Sequence, residues 1–166
     1  MTTDQLKAAM AGQYRAGLAM LREAIEVCPD EFWTTGRHPR EFWRVSFHTL
    51  YYTHLYLEQT EHDFQRWDKD PRPDDDTYLR DIPTPISKAD MLEYCAFVDA
   101  LVEPKLALLD LEAPEAGYSW YDIPKLDHQI LTIRHIQDHA GQLRDRLLER
   151  FDYGEEAFDW VDRGPR

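Results

Sequence analysis

The chain has 166 residues, 43% of them hydrophobic and 13% aromatic, which excludes a disordered chain and predicts one folded domain over residues 1–166. Its 19 basic and 32 acidic residues give a net charge of −13, which repels phosphate backbones and anionic lipid and argues against nucleic-acid and membrane partners. The chain starts without a basic segment and apolar run, and no stretch approaches about 20 consecutive apolar residues, so we expect a cytoplasmic protein.

Apolar residues at helical spacing predict a first helix over residues 3–28 and a second over residues 40–67. Thr2 is followed three positions later by Gln5, a pair that fits a capping box at the start of the first helix. Pro29 ends that helix, since proline has no backbone N–H to continue the hydrogen-bond ladder. The second helix is rich in aromatic residues.

The same spacing predicts a third helix over residues 87–112 and a fourth over residues 125–150. Ser87 and Asp90 resemble a capping box at the start of the third helix. Pro104 lies inside it and predicts a kink or a break, because its ring clashes with the carbonyl group one turn earlier.

Two connections and a tail complete the chain. Residues 68–86 are acidic and rich in proline, and they are too long for a tight turn, so they predict a crossover along a bundle. Residues 113–124 hold three large aromatic side chains, which predicts that this loop lies down on another surface. The aromatic tail 151–166 is expected to pack back on the bundle or on a second subunit.

The predicted fold class is therefore all-α. The arrangement expected is a four-helix bundle over about residues 3–150, with a long crossover connection and a short C-terminal extension. Cys28 and Cys95 have neither metal-binding nor redox-motif spacing, and we interpret them as buried thiols.

Two histidines four residues apart form the strongest functional motif. His135 and His139, in the sequence HIQDH, lie on one face of the fourth helix, about 40° apart around its axis, at the edge of the predicted core face. Imidazole nitrogen is a good ligand for zinc, nickel, copper or iron. The spacing alone also fits an exposed pair on a solvated helix face, and it leaves open that no metal binds.

A third ligand has to come from another helix, and His48 in the second helix is the best candidate because its own face is apolar and aromatic. His54 and His62 are predicted to lie at the surface. His128 is predicted to be a solvent or helix-start histidine, about 10 Å along the axis from His135, which is too far to share its ion.

Other catalytic and metal motifs are missing from the sequence. No histidine has Glu three positions before it, as di-iron bundles require, and HExxH is missing. The motif HIQDH differs from the reversed protease pattern HxxEH because Asp138 stands in place of Glu. There is no phosphate-binding glycine loop and no GxSxG nucleophile motif.

Two segments together resemble the DinB family of four-helix metalloproteins, also called DinB/YfiT-like. They are residues 41–57, EFWRVSFHTLYYTHLYL, and residues 134–147, RHIQDHAGQLRDRL. Members of that family carry one histidine in an aromatic-rich second helix, and HxxxH followed by a small residue, Gly and Gln in the last helix. The matching positions here are His48, His135, His139, Ala140, Gly141 and Gln142. The resemblance covers roughly residues 3–150.

The resemblance implies a bundle with unusual connections, one divalent ion held by His48, His135 and His139, and a homodimer. The ion would be zinc or nickel, with iron or manganese as alternatives. Some members of the family are transferases that use a low-molecular-weight thiol, which suggests a thiol-dependent S-transferase or a hydrolase here. The alternative is a non-catalytic, stress-related binding protein with a structural metal.

Two further residues are candidates for the pocket around the ion. Tyr52 and Glu41 share the face of the second helix that carries His48, where they can donate a proton or orient a ligand. A core tyrosine and a helix-start acid would fit the same positions.

Overall fold

The protein is all-α. A computed structural model describes residues 2–74, 78–152 and 158–164, and this part of the chain contains no strand. Its α-helices are α1 (Thr3–Val27), α2 (Asp30–Trp33), α3 (Phe42–Tyr56), α4 (Lys88–Leu108) and α5 (Lys125–Arg150).

Four long helices surround the core. Helix α1 packs against α4 and α5. Helix α3 packs against the same two helices. The predicted capping box is confirmed, because the Thr2 side chain accepts from the Gln5 N–H and the Gln5 side chain accepts from the Thr2 N–H. Helix α5 has the predicted bounds. Both cysteines are free and buried, as predicted.

Helix α3 ends eleven residues before the predicted end at residue 67. Side chains from a later part of the chain bind the carbonyl groups at this end. Lys125 Nζ donates to the carbonyl oxygens of Glu58 and Gln59 at 2.8 and 2.7 Å, and the Tyr118 hydroxyl donates to that of Leu55 at 2.6 Å. These oxygens need no helical N–H from the following residues, so the chain leaves the helix here.

Helix α4 runs through Pro104 without a break, so of the predicted kink or break the break does not occur. Pro104 and Ala100, whose carbonyl group loses its helical partner, both lie on the exposed side of the helix, where water can replace the lost hydrogen bond. Ser87 caps the start of α4 as predicted, accepting from the Asp90 N–H at 3.1 Å. The helix ends at Leu108 rather than at residue 112.

The aromatic loop and the tail both pack against the helices. Tyr118 is buried against Leu55 and Tyr56, as expected of a loop that lies down on another surface. In the tail, the Gly164 N–H donates to the carbonyl oxygen of Gly12 in α1 at 2.9 Å. Residues 1, 75–77, 153–157 and 165–166 lie outside the described part, and they include Tyr153 of the predicted tail contact.

Within the described residues, no helix is both long enough and apolar enough to cross a lipid bilayer.

Candidate metal centre

Helices α3 and α5 bring His48, His135 and His139 together. One ring nitrogen from each lies within 4.8 Å of the others, and no other group of three metal-ligating side chains is found among the residues described. His48 Nε2 and His135 Nε2 are 3.1 Å apart. All three side chains are half-buried, between the dry core of α5 and its exposed face.

The distance between His48 and His135 and the protonation states of both suit a transition-metal ion. Two nitrogens bound tetrahedrally at 2.0–2.1 Å from zinc lie about 3.3 Å apart, close to the separation of His48 and His135. Burial, with the neighbouring His139 as a further cause, lowers the pKa of His48 to about 4 and that of His135 to about 3. Both imidazoles are therefore neutral near pH 7 and keep a lone pair for a metal.

Gln142 fixes the third histidine. His139 Nδ1 lies 3.1 Å from Gln142 Oε1. An amide oxygen only accepts hydrogen bonds, so Nδ1 carries the proton and Nε2 keeps the lone pair. Such a partner on the far ring nitrogen is usual for metal-binding histidines.

The two predicted pocket residues have different surroundings. The Tyr52 ring lies beside the rings of His48 and His135, with centroids 4.8 and 6.2 Å away. Glu41 instead precedes α3, and its carboxylate binds Arg44 Nε at 2.9 Å and His38 Nδ1 at 3.1 Å. Neither Glu41 nor Tyr52 is among the described residues that line the cavity next to the histidines.

A cavity of about 340 Å³ adjoins the three histidines, and His48 and His139 form part of its wall. A small metabolite fits such a volume. The rest of the wall comes from the segment before α3, the first turn of α3, the turn at residues 79–81, and α5. These lining residues are Pro39, Arg40, Arg44, Val45, Leu79, Arg80, Asp138 and Gln142. A second cavity of about 400 Å³ lies between α1, α4 and the tail, and no histidine lines it.

The other predicted histidine positions are partly wrong. His54 is buried rather than exposed, because α4 and Phe64 cover it, and its Nδ1 lies 3.1 Å from the Tyr94 hydroxyl. His128 lies in the first turn of α5 as expected, but the aromatic loop buries it completely. His62 is exposed, as predicted.

Sequence reasoning did not assign a role to most of the cavity wall. Gln142 has a recognisable signal, since it follows His139 by three residues and so shares its helix face. Arg40 and Arg80 have no such signal, because they lie outside the long helices, in segments that only the tertiary fold brings together.

Comparisons with protein-family models, with curated proteins and with solved structures find no match to this chain.

Proposed function

We propose that the chain binds one divalent metal ion through His48, His135 and His139 and uses it, as a metal-dependent enzyme, on a small molecule that enters the adjoining cavity. The observation that carries this proposal is the convergence of three imidazoles within 4.8 Å of one another, two of which, those of His48 and His139, line a cavity of about 340 Å³. Three protein ligands and one open position are typical of catalytic rather than structural zinc sites.

The donor set favours zinc or nickel over magnesium or calcium, which prefer oxygen ligands. When bound, such an ion supplies a Lewis acid that favours the deprotonated form of a thiol or water in the open position. The protein's own residues supply the shape of the site and the tautomer of His139.

Two neighbouring side chains are suited to proton transfer or orientation. Burial raises the pKa of Tyr52, so its phenol stays protonated near neutral pH and can donate a hydrogen bond to a ligand beside His48. Asp138 lies in the cavity wall next to His139. There its exposed carboxylate can accept a proton from a substrate.

The reaction class proposed is thiol-dependent S-transfer or hydrolysis. The resemblance to the DinB family supports it, as do a site open to the cavity and ligands that suit a thiol-activating ion. From the same resemblance we propose a homodimer, and from the sequence a cytoplasmic location.

The proposal is tested by loading tag-free protein with zinc or nickel and measuring turnover of a panel of thiols with electrophiles, and of esters and amides. We expect activity that disappears on chelation and in His139→Ala, and that remains in the exposed-site control His62→Ala. A metal-loaded protein that turns over no member of the panel would contradict the enzymatic role.

A non-catalytic role has one observation in its favour: the ligands come from two different helices, so an ion would also tie α3 to α5. In that case chelation would lower the melting temperature sharply while every activity assay stayed negative.

A further inference from the structure

The cavity beside the three histidines is lined by more positive than negative charge, in a chain whose net charge is −13. Arg40, Arg44 and Arg80 line it, and among the described residues only Asp138 brings a carboxylate to the same wall. The acidic surface elsewhere repels small anions, so this cavity is a local exception.

Arg44 is buried and acts as a fixed part of the wall. Its Nε donates to Glu41 at 2.9 Å, while Nη1 and Nη2 donate to the carbonyl oxygens of Leu79 and Ile82 at 2.8 and 3.1 Å. These bonds hold the turn at residues 79–81 against α3. Because the turn is fixed there, Arg80, its middle residue, lies at the cavity wall.

Arg40 is held on the other side of the opening by its backbone. Its N–H donates to the Arg37 carbonyl oxygen at 2.7 Å, and its own carbonyl oxygen accepts from Arg146 Nη1 at 3.1 Å. The Arg40 guanidinium, by contrast, is exposed and makes no hydrogen bond or ion pair with the described residues. Its five donors are therefore available to a ligand.

Arg80 is nearly as available. Its one acidic neighbour among the described residues is Asp81, at 3.6 Å, and both side chains are more than half exposed. Exposed pairs of this kind contribute little stability, so an incoming anion can replace the aspartate.

We propose that Arg40 and Arg80 bind the anionic group, a carboxylate or a phosphate, of a small substrate whose reacting end lies at the three histidines. This inference rests on the proposed function of that site. Guanidinium groups bind both anions through paired hydrogen bonds, which fix orientation as well as position. Asp138, the opposing charge, disfavours an anion close to His139 and leaves the arginine side of the cavity as the place for it.

The test uses the full chain without metal, so that its result does not depend on metal binding. Glutarate is titrated at constant ionic strength against its neutral analogue glutaramide, and inorganic phosphate is titrated in parallel. Binding is followed by NMR through the arginine Nε–Hε signals. The variants are Arg40→Gln and Arg80→Gln, and the matched control is Arg37→Gln, an exposed arginine three residues from Arg40 that does not line the cavity.

We expect glutarate or phosphate to bind about tenfold or more tightly than glutaramide, as charge-assisted hydrogen bonds imply, and the stronger of the two anions identifies the group. Arg40→Gln and Arg80→Gln should each remove most of that preference, whereas Arg37→Gln should keep it. Equal binding of glutarate, phosphate and glutaramide, or an equal loss in all three variants, would overturn the inference. If the protein binds no metal in a separate measurement but keeps this anion preference, only the proposed function is refuted.

Discussion

His139 depends on a neighbour in its own helix for its orientation. Gln142 Oε1 accepts from Nδ1 and leaves Nε2 directed to the site. Without that hydrogen bond the ring can rotate, and either nitrogen can carry the proton.

Replacing Gln142 by Leu should therefore weaken zinc binding about 10- to 100-fold, the usual effect of removing such a partner. Competition with a chromophoric chelator measures the affinity. Gln137→Leu is the matched control, since Gln137 also lies on α5 but its side chain donates to Met20 Sδ rather than to a histidine. Unchanged affinity in Gln142→Leu would show that the hydrogen bond does not position His139.

His128 is completely buried, and neither ring nitrogen has a hydrogen-bond partner among the described residues. Burial, with nearby Lys125 as a further cause, lowers its pKa to about 4. As the pH falls, the unfolded chain takes up this proton first. The contribution of His128 to stability is thus complete above about pH 6.5 and is lost as the pH falls toward 4.

His128→Phe should remove this loss without removing a hydrogen bond. At about 1.36 kcal/mol per pKa unit, the free energy of unfolding of the wild type should fall about 2 kcal/mol more than that of the variant between about pH 7.5 and pH 5. Urea denaturation at the two pH values measures the difference. The exposed control His62→Phe should behave like the wild type, and a parallel fall in His128→Phe would refute the buried neutral state.

At the scale of elements, the end of α3 is set by a residue of α5. Lys125 is buried and donates from one ammonium group to three carbonyl oxygens, those of Glu58, Gln59 and Ala116. The single side chain thereby connects the end of α3, the aromatic loop and the start of α5.

Lys125→Met keeps much of the side-chain volume but leaves these carbonyl groups without their donor, so we expect a loss of about 3–5 kcal/mol in the free energy of unfolding. Chemical denaturation measures it. Lys69→Met is the control, because the ion pairs that Lys69 makes with Asp90 and Glu93 are exposed, and its replacement should cost less than about 1 kcal/mol. Similar losses in both variants would rule out the role given to Lys125.

The helices that could be predicted from sequence are those whose ends depend on local residues. Thr2 with Gln5, Ser87 and Pro124 mark three helix starts within a few positions. The end of α3 could not be predicted in this way, because its hydrogen-bond donors come from more than 60 residues away. Ile130 shows the same limit: it fits the apolar spacing of α5 and yet is 47% exposed.

At the scale of the whole molecule, the histidines are brought together by the packing of α3 on α5. The pair on α5 could be predicted from its spacing, and His48 from the apolar face that surrounds it. Burial of His54 by α4 and of His128 by the aromatic loop could not be predicted, since it depends on segments distant in the chain. The arginine-lined cavity wall could not be predicted from a local sequence pattern for the same reason.

The central claim, one divalent ion held by three histidines, is tested most directly by the metal content of protein purified without a histidine tag, measured by elemental mass spectrometry. We expect about one zinc or nickel ion per chain. That content should fall to near zero in His48→Ala, His135→Ala and His139→Ala and stay unchanged in His62→Ala. A wild type that holds no metal even after soaking with these ions, or equal retention in all four variants, would contradict the account.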